Sequence, residues 1–538
     1  MPRQRPTARQ LTLALAVLGL IWRTVHYALG MPIWGDEAFV AVDLVVRDYR
    51  EMIEPSVYGQ IVPLLFMWAE LAISRVLGLS EQALHLLPYV AGVVALLLFW
   101  RFAGRVLPRR AALLAIGIFA ASFYVVRHSA EVKPYETDLL VALGMTMLAW
   151  SVFEQPRSAA RWVALVVLAA VSPWCAYPVA FIGGSVGVLL TWLLVREKGR
   201  AGVLAGWLAF GLVFCASYGW MYWVYGRPHA QFASHLTEIT MWRKTFPPLA
   251  EPWKLPAWFV GIHTGLMFAY PHGGTAPGSV ATFLLFLVGA VRLWRRRPAL
   301  VVLLLTPLPL TFVAAAWHAY PYGGSARTSL YMAPAIGLLT GLGAWVALHF
   351  VVRQLVRAMR ARGGIWTRPW PFHLRNGVYA ATAALALFMV GAVLADVIQP
   401  YKSLSVYRGR EAVRAVARQT APGDRWVIFN ADRQVPYAPY LGDWHGVGGQ
   451  FVFDALRFAP PQIELAPPPE SVSAPPGGRV WLLAYRAVHP KVDFSDEQLE
   501  AYVQALSARL GSPQRTEHSI KSEELKQEAL IVYRFDHR

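Results

Sequence analysis

Apolar runs of roughly 17 to 25 residues recur along this chain, the length that a bilayer core demands of a helix. In hydrocarbon every backbone N–H and C=O must be satisfied within the segment, so such runs fold as helices packed side by side. Composition agrees, with 56% of the 538 residues hydrophobic and only 15% charged. The chain is read as an α-helical polytopic membrane protein. Its first run, from about Leu11 to Leu29, follows Arg3, Arg5 and Arg9 as a signal peptide would. Ala28-Leu29-Gly30 is a weak cleavage match, however, and Arg23 and His26 interrupt the run, so it is read as a retained span. Cys175 and Cys215 form neither a disulfide framework nor a metal-ligand spacing.

About 11 spans are expected, near residues 10–30, 84–105, 111–128, 137–153, 161–177, 178–195, 201–225, 276–294, 299–318, 327–351 and 377–398. With the N-terminus inside, the inner turns collect Arg101 to Arg110, Arg157 and Arg161, Arg196 to Arg200, Arg292 to Arg297 and Arg353 to Arg375, with Glu154 and Glu197 the only acids among them. Basic residues facing the cytoplasm and anionic headgroups explain the net charge of +18, so no nucleic-acid partner is implied. The expected location is a bacterial cytoplasmic membrane.

The first outer loop reverses the balance, with Asp36, Glu37, Asp43, Asp48, Glu51 and Glu54 against Arg47 and Arg50. Its carboxylate pair, Asp36-Glu37, sits at the mouth of the first span, with water on one side and lipid on the other. Residues 59–78 are long enough to cross, but counting them would turn the Arg101 to Arg110 cluster outward. They are read as a re-entrant or surface-lying helix, preceded by an amphipathic segment in which Asp43, Arg47, Arg50 and Glu54 repeat at helical spacing.

In the second outer loop, Glu131-Val132-Lys133-Pro134-Tyr135 places ionisable groups beside hydrocarbon, where they face a cavity and pair with each other or with a ligand. Glu131 and Lys133 either address one ligand or form a loop salt bridge. The third outer cluster runs from Trp317 and His318 through Tyr320, Tyr322, Gly323 and Gly324 to Arg327. Arg327 offers a forked donor that matches phosphate, while Tyr320 and Tyr322 suit either a substrate or an interfacial aromatic belt. The long loop near 226–277 has no histidine pair at metal-ligand spacing, and a second horizontal helix is expected near 257–270.

Beyond about residue 400 the apolar runs stop. Strand-like Arg425–Phe429, Arg479–Ala484 and Ala529–Tyr533, with a helix at Asp496–Leu510, predict a small soluble α/β domain that lies outside the membrane when 11 spans are counted. The expected division is 1–400, a transmembrane catalytic domain, and 401–538, an extracytoplasmic domain for docking or acceptor handling. No phosphate-loop or dinucleotide glycine pattern occurs there.

Taken together, the acidic pair after the first span, the Glu-x-Lys-Pro-Tyr with Asp138 following, and the Tyr-Pro-Tyr-Gly with Arg327 and Pro334 resemble the GT-C glycosyltransferases, in particular the protein O-mannosyltransferases and the lipid A aminoarabinose transferases. The resemblance covers about residues 10–350. It departs at Val62-Pro63-Leu64, where the family has Pro-Pro-Leu, and at Lys133, where it has Arg. It implies a GT-C fold, Asp36 as catalytic base with Glu37 beside it, and Glu131, Lys133 and Tyr135 near the donor phosphate or acceptor. His318, Tyr320, Tyr322 and Arg327 join them as candidate substrate-binding residues. Some GT-C enzymes recruit a divalent cation and others do not, so no metal is assigned and no other cofactor is implied.

The chemistry also follows from the residues. A polyprenyl-phosphate-linked sugar carries a good leaving group, so an enzyme must deprotonate an acceptor, hold C1 in line and neutralise the departing phosphate. The partners are then that donor, membrane lipids and a glycan, lipid or protein acceptor. A polysaccharide polymerase shares this donor logic. A lipid or polysaccharide transporter would instead show mid-span charges and an internal repeat.

Overall fold

The computed structural model describes residues 6–56, 58–231, 243–361, 370–429, 445–459, 462–465, 467–486, 496–523 and 526–536. Helix α1 (Ala8–Ala28) opens on a capping box, in which the Thr7 side chain accepts from Gln10 N and the Gln10 side chain accepts from Thr7 N. Leu15, Ala16, Gly19, Trp22, Arg23 and His26 recur at three- and four-residue spacing and turn inward. Trp22 Nε1 and His26 Nδ1 both meet Asp396 Oδ2, at 2.8 and 2.9 Å, so the first apolar run is bolted to the last.

There follow α2 (Gly35–Val46), α3 (Leu64–Leu77), α4 (Leu86–Val106), α5 (Arg109–Ala120), α6 (Phe123–His128), α7 (Tyr135–Glu154), α8 (Ala159–Cys175), α9 (Val179–Arg196) and α10 (Ala201–Met221). After these come α11 (Leu255–His263), α12 (Gly278–Trp294), α13 (Pro298–Leu305), α14 (Pro307–Ala316), α15 (Ala333–Ala361) and α16 (Trp370–Ile398). Among the described residues, 8 helices are long and apolar enough to cross a membrane, and α8 and α12 are shorter apolar helices. The remaining expected span, 111–128, is α5 and α6 with a break at Ala121 and Ser122. Every expected span thus has a helical counterpart. Packing is close where side chains are small: a Cβ on Gly343 would lie 1.8 Å from Leu285 O, and one on Gly289 1.9 Å from Leu339 O. Those two glycines let α12 and α15 touch backbone to backbone.

Residues 59–78 contain only α3, whose 14 residues rise about 21 Å against a hydrocarbon core of about 30 Å. The amphipathic expectation for the segment before it needs correction. Helix α2 ends at Val46, because Arg47 leaves in an extended conformation and reaches back to Asp43 at 3.4 Å. Asp43 is itself buried, as are Ala38, Val40, Ala41, Val42 and Leu44. Asp43 lines a cavity with Met52, Val62, Met67, Tyr225 and His229, while a later helix, α18 (His445–Phe458), packs on α2. The expected helix at 257–270 is α11 followed by a separate turn, Leu266–Phe268.

Helix α17 (Leu404–Ala417) leads into a sheet of five strands, β1 (Arg425–Ile428), β2 (Gln462–Leu465), β3 (Val480–Arg486), β4 (Gln514–Glu523) and β5 (Lys526–Phe535), in the order β2-β1-β3-β5-β4. Strand β1 runs parallel to β2 and β3, while β5 is antiparallel to β3 and β4. Trp426, Ile428, Trp481 and Leu483 on one face join the apolar cluster of α2, α3 and α18. Val427, Val480 and Leu482 on the other meet Leu499 and Leu506 of α19 (Asp496–Leu510). The inner strands are therefore apolar on both faces, as their composition requires. Strand β4 was not expected from sequence; it is a polar edge strand with no apolar run to announce it.

Candidate active site

The chain segments around the ends of α1, α6, α16 and the start of α4 meet at one end of the bundle. Gly35 enters α2 with φ +52, a left-handed turn that glycine makes without strain. Asp36 is the next residue of α2, and its side chain lies outside the described residues. Glu37 follows and is fully buried. Its Oε2 accepts from Val132 N at 2.9 Å and lies 3.1 Å from His85 Nε2, while its Oε1 accepts from Lys402 Nζ at 2.7 Å.

Glu131 is the second carboxylate of the cluster. Its Oε1 accepts from Lys402 Nζ at 3.0 Å, from Arg127 Nε at 3.0 Å and from Trp34 Nε1 at 3.4 Å, and its Oε2 stands 2.5 Å from His128 Nδ1. Burial alone would push this carboxyl up, but the charges of Lys402, His128 and Arg127 hold it well below the ordinary carboxylate range. It stays ionised. Lys402 also points at Ala130 O, 3.4 Å away, and rests over the Trp34 ring. The far ring nitrogens, His85 Nδ1 and His128 Nε2, are buried without a hydrogen-bond partner.

The other candidate residues are arranged around this cluster. The Lys133 ammonium donates to Gln60 Oε1 at 2.6 Å, so it turns to the stretch before α3 while Glu131 turns to Lys402. Tyr135 opens α7 with its ring edge-on to His128 at 5.1 Å. Arg327, half-buried, starts a turn (Arg327–Met332) packed on α7, the helix that follows Lys133 and Tyr135. Tyr322 is buried, its OH 3.1 Å from His263 Nε2, in an aromatic nest with Trp258, Phe259 and Phe312. Burial raises the Tyr322 phenol and lowers the His263 imidazole, which keeps that pair neutral. Tyr320 donates to Thr328 O at 3.0 Å and packs against Phe181. His318 is an exposed turn residue at φ +55 with its ring over Phe246, apart from the carboxylate cluster.

A second ionic network lies beside the first. Ser80 caps the single turn Glu81–Leu84 that leads into His85. Glu81 accepts from Arg410 Nη1 and Arg457 Nη2, both at 2.9 Å, with Arg414 at 3.9 Å. Burial raises this carboxyl, yet the arginines bring it down to about 2. Helices α17 and α18 thus grip the loop that delivers His85 to Glu37.

Residues 62–223 match the family model described as dolichyl-phosphate-mannose-protein mannosyltransferase. Over nearly the whole chain the structure is similar to that of ArnT from Cupriavidus metallidurans bound to undecaprenyl phosphate, with a TM-score of 0.54 and 14% identity, covering 96% of this chain and 97% of that one. The chain has the GT-C fold of membrane glycosyltransferases. The same ArnT in the apo state is similar at a TM-score of 0.51 and 13% identity, with 97% of each chain covered. An oligosaccharyltransferase from Archaeoglobus fulgidus is similar at 0.45 and 13% identity, over 84% of this chain and 64% of that one. No curated protein matches in sequence.

Within this GT-C fold, sequence reading passed over Lys402 and His85. Lys402 is 365 residues from Glu37, and no local pattern links them. A signal did exist, since each is an ionisable residue flanking an apolar span, the position where pairing with another intramembrane charge or a ligand is the rule. Among the described residues, no three of His, Cys, Asp and Glu are grouped as a metal site.

Proposed function

We propose that this chain transfers a sugar from a polyprenyl-phosphate-linked donor to an acceptor hydroxyl or amine, with inversion at C1, on the extracytoplasmic face of a bacterial cytoplasmic membrane. The observation that carries this reading is the buried cluster of Glu37, Glu131 and Lys402, at one end of a GT-C bundle and directly beside Asp36. A polyprenyl carrier suits it, because the similar ArnT structure is the one bound to undecaprenyl phosphate.

In the proposed step Asp36 takes the acceptor proton, the freed oxygen or nitrogen bonds C1, and the C1–O bond to phosphate breaks with its electron pair leaving on the polyprenyl phosphate. Lys133 and Arg327 meet the charge that develops there. Glu37, tied to Lys402, His85 and Val132 N, holds the start of α2, the helix that carries Asp36. Residues 1–400 act as the catalytic unit, and residues 401–538 as an extracytoplasmic unit that supplies Lys402.

Mass spectrometry of lipid-linked sugars and glycoconjugates in a deletion strain tests this. Loss of one sugar modification with build-up of its polyprenyl-phosphate donor is expected, restored by the wild-type chain and not by Asp36→Asn. An unchanged profile would contradict it.

A further inference from the structure

The Glu37 and Glu131 carboxylates, from two different segments of the chain, face one point. At that point sits Lys402 Nζ, 2.7 Å from Glu37 Oε1 and 3.0 Å from Glu131 Oε1, with Ala130 O at 3.4 Å. An ammonium has three N–H donors and no acceptor, so these three oxygens exhaust it. The whole group is dry: the side chains of Glu37, Glu131 and Lys402 are 0%, 4% and 6% exposed.

Charge balance points the same way. Two carboxylates are already matched by Lys402 and Arg127, whose Nε is 3.0 Å from Glu131 Oε1. A divalent ion added to that set would bring two uncompensated charges into a buried site, and expelling the lysine would first cost it both ion pairs. The nearby imidazoles face the carboxylates through His85 Nε2 and His128 Nδ1 and offer no third anion.

We propose that Lys402 is the resident cation of this site, a positioning residue that takes the place a divalent metal would otherwise fill between Glu37 and Glu131. It acts through those carboxylates rather than on the substrate. Its meaning for catalysis rests on the transferase reading, and the site itself does not. The expected consequence is transfer independent of divalent metal.

The decisive experiment is Mn2+ titration of the purified full chain in lipid nanodiscs, followed by electron paramagnetic resonance, for wild type, Lys402→Met and Lys402→Met with Glu131→Gln. The wild type should take up no Mn2+ that depends on Glu131. Lys402→Met should expose two carboxylates and a carbonyl, bind one Mn2+ with an affinity of about 10⁻⁴ to 10⁻³ M, and lose it in the double variant. Wild-type binding that Glu131→Gln abolishes would overturn the proposal, as would a folded Lys402→Met that binds none. Should Lys402→Met not fold, Lys402→Gln and the wild-type titration decide. Where a transfer assay is running, chelator should change the wild-type rate by less than about twofold, and a loss of tenfold or more restored by Mn2+ would count against the lysine. Absence of transfer from every polyprenyl-phosphate sugar would sink the function while leaving the Mn2+ result standing.

Discussion

Two buried carboxylate networks tie the early loops to the late chain, and they are built differently. Glu81 is gripped by Arg410 and Arg457 with Arg414 behind them, so a single anion faces guanidinium groups from two helices. Glu37 and Glu131 share one lysine and are flanked by histidines whose far nitrogens are buried without partners. The first arrangement holds α17 and α18 in place with more donors than one anion can use, Arg410 Nε and Arg457 Nη1 being buried without a hydrogen-bond partner. The second keeps capacity in reserve beside Asp36. Surplus arginine fits a clamp, whereas balanced charge with open imidazoles fits the site proposed above.

The largest expected effect would break this comparison if it fell on the wrong side. Glu81→Ala leaves arginines buried without their anion and should cost about 3 to 5 kcal/mol of stability, read by denaturant unfolding in detergent. The rate per folded molecule should be unchanged; a rate loss without a stability loss would move Glu81 into the site. The same network sets the response to acid. Because the folded pKa of Glu81 is depressed to about 2, its contribution is fully present above the usual carboxylate value and fades as pH falls toward 2. The joint between α17, α18 and the Glu81 loop should therefore hold at pH 5 and loosen below about pH 4, measurable as protease access to the residues beyond 400.

Lys402→Met should show the opposite signature, with turnover per folded molecule reduced about a hundredfold and donor binding retained. A purely structural lysine would lower the amount of folded protein and leave that rate alone. Arg327 should give the smallest effect. Arg327→Ala should weaken donor binding about tenfold or more, and Arg327→Lys, which keeps the charge and loses the fork, distinctly less. Equal donor affinity in both variants would return Arg327 to packing on α7.

Legibility in the sequence followed the range of the forces involved. The spans were readable because bilayer thickness imposes length, and the helix within residues 59–78, α3, is only 14 residues long. Strands β1, β3 and β5 and the limits of α19 carry local apolar patterns, but edge strands β2 and β4 do not. Around the candidate site, Glu37 and Glu131 stood out as charges beside hydrocarbon. Their partner Lys402 did not, because its role arises only when the chain beyond the last span folds back over α2. The burial of Asp43 was hidden for a similar reason: Tyr225 and His229, which share its cavity, are far from it in sequence.

All of this converges on Asp36, next to the one buried carboxylate that Lys402 and His85 hold in place together. Asp36→Asn keeps volume and hydrogen bonding while removing basicity. In the purified chain, reconstituted in lipid with its polyprenyl-phosphate sugar, turnover should fall about a hundredfold or more with donor affinity intact. Near-normal turnover in that variant would mean that the base lies elsewhere and that the cluster around Glu37 serves a different end.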